Sequence, residues 1–70
     1  MSKVYKKIEI VGTSSRSIED AIENAVAHAS KSLHNLDWFE VQETRGHITD
    51  GKVVEYQVVM KVGFRLDGTD

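Results

Sequence analysis

The chain has 70 residues, which makes one small domain (residues 1–70) near the lower limit for a self-supporting core. It has no cysteine and a formal charge of -2, which excludes disulfides, cysteine zinc sites and thiol catalysis and gives no basic footprint for nonspecific nucleic-acid binding. No apolar run is long enough to span a bilayer and the N-terminus lacks a signal-peptide stretch, so a soluble cytoplasmic domain is expected.

Ordering a residue costs roughly 1.5 kcal/mol, and in so short a chain apolar burial usually only breaks even with that. With disulfides excluded, self-association is the expected remedy. The first element alternates over Val4 to Val11, with Val4, Ile8 and Ile10 on one face and Tyr5, Lys7, Glu9 and Val11 on the other, and reads as a strand. Lys6 is the one polar residue on the apolar row.

Gly12-Thr13-Ser14-Ser15 then breaks the pattern. The segment lacks the glycine spacing and lysine of a phosphate loop, so it reads as a turn leading into a helix cap. Ser17 is a good N-cap, and Asp20 three residues on resembles a capping box with a shortened acid. Ile18, Ala21, Ile22, Ala25, Val26, Ala29, Leu33 and Leu36 fall within an arc of roughly 140° at helical spacing, which predicts a one-sided helix ending near Leu33 to Asn35. Its polar side carries acids early and basic residues late, as the helix dipole favours. His28 and His34 are turned about 120° from each other on such a helix, and His47 sits near a hairpin end, so no metal site is expected.

Two long strands follow, Trp38 to Ile48 and Val53 to Leu66, joined by Thr49-Asp50-Gly51-Lys52. Asp-Gly at the centre signals a two-residue hairpin turn. The fold class is therefore α+β, in the order β-α-β-β. The last strand is expected between the first and second, giving a three-stranded antiparallel sheet of order 1-3-2 with the helix on one face.

In the last strand Val54, Tyr56, Val58, Met60, Val62, Phe64 and Leu66 form an apolar, helix-facing row. Counting back from the turn sets Phe39 opposite Val62 and Val41 opposite Met60 as core pairs, and Trp38 opposite Gly63 on the other, mixed face. The same count puts Glu43 and Arg45 on the helix-facing row, so either the helix stops short of them or a bulge resets the phase. Trp38 is costly to leave wet. It reads either as interface packing between copies of the chain or as a stacking platform for a flat ring, with Gly63 leaving space beside it. Gln57 shares that face, but from Gly63 it lies roughly 20 Å along the strand. A small ligand touching both Trp38 and Gln57 would draw on more than one chain. No nucleophile-base triad or poised carboxylate pair is legible, and no enzymatic activity is expected.

Tyr5-Lys6-Lys7-Ile8-Glu9-Ile10-Val11-Gly12-Thr13-Ser14, Leu36-Asp37-Trp38-Phe39-Glu40-Val41, Arg45-Gly46, Tyr56-Gln57-Val58 and Lys61-Val62-Gly63-Phe64-Arg65-Leu66 closely resemble the bacterial dodecins. The resemblance spans nearly the whole chain without a gap. It implies a sheet half wrapped around the helix, a hollow homododecamer, and flavin bound in pairs at protomer interfaces. It implies FMN (or riboflavin) as ligand, stored, buffered and protected from photochemistry. In that pattern Trp38 stacks on the isoalloxazine, Gln57 hydrogen-bonds its polar edge, Arg45 lies close to the flavin, and Arg65 matches a position associated with ligand phosphate. Lys6 is a third candidate cation. Some bacterial relatives also carry coenzyme A, but His28 and His34 stand where several of them have arginine. The alternative is a purely structural shell in which Trp38 is interface packing.

Overall fold

The computed structural model describes residues 2–70. β1 (Tyr5–Ser14) leads into α1 (Ile18–Ala29), followed by β2 (Leu36–Thr49) and β3 (Lys52–Arg65). The sheet has the order β1-β3-β2, with β3 antiparallel to both neighbours. This is the expected architecture.

Most boundaries fall within a residue or two of the sequence reading, and two differ by three or more. β1 runs through Gly12 and Thr13 to Ser14, where a break was expected. Gly12 stays in the strand because the helix needs it there: a Cβ would lie 2.2 Å from the Ala21 carbonyl oxygen and 2.8 Å from the Ala25 Cβ. The helix ends at Ala29 rather than near Leu33 to Asn35. Beyond it the amides of Lys31 and Ser32 donate to the carbonyls of His28 and Ala29 at three-residue spacing, a tightened last turn. Asn35, in the left-handed region at φ 65°, then reverses the chain into β2.

Ser17 caps the helix as expected, its hydroxyl accepting from the Asp20 amide at 3.0 Å. The Asp20 carboxylate does not complete a capping box. It accepts instead from the Arg16 guanidinium at 2.8 Å and from the Ser14 hydroxyl at 2.6 Å, and these bonds, the Arg16 one first, hold its carboxyl below the usual carboxylate range. Ser14 is buried, and its oxygen also accepts from the Arg16 amide. One hydroxyl thus joins the end of β1 to the start of α1.

The core is small. Ala21, Val58 and Met60 form its centre, with Ile10, Ile18, Ile22, Ala25 and Val26 packed around them. Full burial of side chains such as Val58, Met60 and Val62 contributes roughly 1.5–3 kcal/mol each. A 12-residue helix is roughly 18 Å long, whereas each 14-residue strand of the hairpin reaches roughly 46 Å. The helix lies over β1 and β3 and leaves the hairpin arm and the face of β2 uncovered. Phe39 and Val41 are paired with Val62 and Met60 as expected, yet they are not core: they are 48% and 44% exposed.

Asp50 and Gly51, both at positive φ, make the expected tight turn. The register counted from it holds for Thr49 with Lys52 and again for Trp38 through Val41. Between these stretches it is shifted by one residue, because a bulge at Val54 in β3 is cancelled by a second at Gln42 in β2. Glu43 and Arg45 thereby move to the outer face, opposite Val59 and Gln57, and the bulge alternative is the one realised.

Candidate functional site

The outer face of the sheet carries two clusters, one at each end. At the first, Trp38 of β2 pairs with Gly63 of β3, which pairs in turn with Lys7 of β1. The indole lies over Gly63: a Cβ there would sit 2.4 Å from Cε2 and Cζ2 of the ring. Gly63 therefore makes room for the tryptophan itself, not for a ligand beside it, which corrects the sequence reading. Trp38 remains 38% exposed. Tyr5 packs against it in a tilted arrangement, with ring centroids 5.1 Å apart and planes inclined at 59°. The indole N–H donates to Glu40 Oε2 at 2.8 Å, and Lys7 Nζ lies 3.2 Å from both Glu40 oxygens. The Trp38 hydrogen bond first, and then the Lys7 ammonium, hold the Glu40 carboxyl below the usual range.

At the second end Arg45 Nε donates to Gln57 Oε1 at 2.9 Å and its Nη1 to Glu43 Oε1 at 3.2 Å. Gln57 Nε2 donates to Glu55 Oε1 at 2.9 Å. A carboxamide has two donor hydrogens and two acceptor lone pairs. One of each on Gln57 is engaged by these neighbours, leaving a donor and an acceptor side by side.

The structure thus brings Arg45 and Gln57 together and separates both from Trp38 along the strands. Arg65 pairs with Tyr5, two residues beyond Gly63 on the same row, with its guanidinium turned back onto the Thr69 carbonyl. Lys6 pairs with Phe64 and belongs to the helix-side row, so within one protomer it does not share a face with Trp38. Tyr5, Lys7 and Glu40 were missed from sequence. The signal for Lys7 lies in the β1–β3 register, which sets it beside Gly63.

The residues fit a planar ligand. An aromatic ring backed by the sheet offers a rigid, partly exposed surface, and the spare donor and acceptor on Gln57 match an imide edge. A family model described as Dodecin matches residues 4–67. The chain belongs to the dodecin family. It is 59% identical over 69 residues to the dodecin of Thermus thermophilus, covering 99% of this chain and 100% of that one. Its structure is similar to that of the dodecin from Streptomyces davaonensis, with a TM-score of 0.92 and 52% identity over 96% of this chain and 98% of the other. It is also similar to the W38F mutant of T. thermophilus dodecin, with a TM-score of 0.90 and 57% identity over 94% and 98% of the two chains. Flavin binding is known for dodecins generally, and their structures point to oligomeric self-assembly. Among the described residues, no helix is long and apolar enough to cross a membrane.

Proposed function

We propose that this chain is a flavin-storage protein that binds FMN by stacking the isoalloxazine on Trp38 at the protomer interfaces of a hollow dodecamer. The observation that carries the reading is the indole fixed over Gly63 with part of its surface left open. A ring already held by the sheet loses little freedom when a ligand stacks on it, so the contact is pre-organised. Gln57, reaching the same flavin from another protomer, would meet its imide edge with the remaining donor and acceptor. Arg45 holds Gln57 by its amide oxygen, and Arg65 supplies charge for a ligand phosphate. An indole against the flavin, in van der Waals contact, is an electron-rich neighbour suited to quenching its excited state. The protein acts as a buffer and photoprotectant in the cytoplasm and is not an enzyme. Riboflavin can use the same stacking surface, while coenzyme A draws no support from His28 and His34.

Native mass spectrometry of freshly purified protein tests this reading. The expected result is a twelve-subunit particle carrying FMN. A particle of that size with no flavin, even after FMN is added in excess, would favour the purely structural shell.

A further inference from the structure

The outer face holds a bonded series that the stacking role of Trp38 does not by itself require. Lys7 on β1 binds Glu40 on β2, and Glu40 binds the indole N–H of Trp38, two residues away on the same strand. Gly63 of β3 lies beneath the ring, between the two edge strands. The ring is thus fixed from below by the backbone and at its nitrogen by a carboxylate. That carboxylate is itself tied to the opposite strand.

We infer that Glu40 is a positioning residue for the flavin platform, with Lys7 as its anchor, and that this clamp holds the indole in its stacking orientation before any ligand arrives. The inference rests on Trp38 being the platform. Tryptophan is an N–H donor only, so one acceptor at that nitrogen restrains the sideways swing about χ1 that contact with Gly63 leaves free. A charged acceptor gives the shorter and stronger bond. Lys7 reaches both carboxylate oxygens, so Glu40 cannot readily turn away. Lys61, which pairs with Glu40 across the ladder, adds a second positive charge from β3. Three strands thereby contribute to the orientation of one ring.

The chain has a single tryptophan, so fluorescence excited at the red edge of the indole band, where the two tyrosines do not absorb, reports on Trp38 alone. Time-resolved anisotropy of the assembled, flavin-free protein should decay with tumbling of the whole particle. In Glu40→Leu a fast local component should appear, and FMN affinity should fall about 3- to 10-fold. Glu40→Gln keeps an acceptor for the indole and should restore most of both. Lys7→Met, which removes only the anchor, should show the fast component at lower amplitude and carries the test if Glu40→Leu does not assemble. The clamp also predicts a pH signature. The indole N–H first, and then Lys7 and Lys61, hold the Glu40 carboxyl below its usual range. The wild-type decay should therefore hold as the pH falls past the usual glutamate range and move toward that of Glu40→Gln only below it.

A wild-type ring that is already mobile would overturn the inference, as would a Glu40→Leu ring no freer than the wild type. A freed ring with unchanged FMN affinity would overturn the positioning role. Failure of the wild type to bind FMN would overturn the proposed function instead, and the anisotropy series would still decide whether the clamp exists.

Discussion

At the scale of single residues, the site depends on a glycine as much as on its tryptophan. Gly63 leaves the sheet flat beneath the indole, and a methyl group there would meet three ring atoms within 2.6 Å. Gly63→Ala should therefore displace Trp38 without altering the strand pairing, because β3 backbone bonds do not involve the side chain. The check is tryptophan emission, expected to shift to the red as the ring leaves the sheet, with FMN quenching weakened in parallel. Unchanged emission would mean that the ring finds an equivalent seat elsewhere. The facing of Trp38 and Gly63 was legible in the sequence because the Asp50-Gly51 turn fixes the count and two opposite bulges cancel before Trp38 is reached. The use of the glycine was not legible. An absent side chain leaves room on either side of it, and only the packing of the folded chain shows that the tryptophan takes that room.

At the scale of elements, the joint between β1 and α1 is built on Ser14. Its hydroxyl donates to Asp20 and accepts from the Arg16 amide while buried. Ser14→Ala would leave the Asp20 carboxylate and that amide short of a partner, at a cost of about 1–3 kcal/mol. Thermal unfolding followed by circular dichroism at fixed protein concentration checks this, with a lower midpoint expected; concentration must be fixed because assembly adds to the apparent stability. The turn composition of Gly12-Thr13-Ser14-Ser15 sets the strand-to-helix break earlier than the fold does. Composition cannot register that a helix passes close enough to demand a strand glycine. The apolar pattern sets the helix end later than Ala29 for a related reason. Leu33 and Leu36 continue the apolar arc, but each is placed by the loop and strand that follow Ala29, not by another helical turn.

At the scale of the whole molecule, the isolated chain is an elongated body of 55 × 20 × 13 Å with a helix too short to cover its hairpin. Phe39 and Val41 lie on the helix-side row of β2 and are left open, as are Ile48, Val53 and Val54 near the hairpin tip. The sequence assigns Phe39 and Val41 to the core because apolar residues facing apolar partners are indistinguishable from core until the helix is positioned laterally. In the proposed assembly these side chains would supply contacts between copies. Phe39→Asp should reduce the particle to small species in light scattering, since a charge buried without a partner in such a contact is strongly disfavoured. A full-sized particle from that variant would mean that this part of β2 stays exposed to solvent in the assembly. The division of the outer face has a consequence at the same scale. Trp38 and Gln57 sit at opposite ends of one protomer, so a ligand site that uses both exists only between copies.

The most direct test of the account is a titration of FMN into wild-type protein and into Trp38→Ala, read by loss of flavin fluorescence and paired with a mass measurement of each particle. Stacking on an aromatic side chain is worth about 1–3 kcal/mol for a flat heterocycle, so the variant should assemble normally and bind FMN roughly 10- to 100-fold more weakly. Unchanged affinity in an intact Trp38→Ala particle would contradict the account and leave Trp38 with no part in flavin binding.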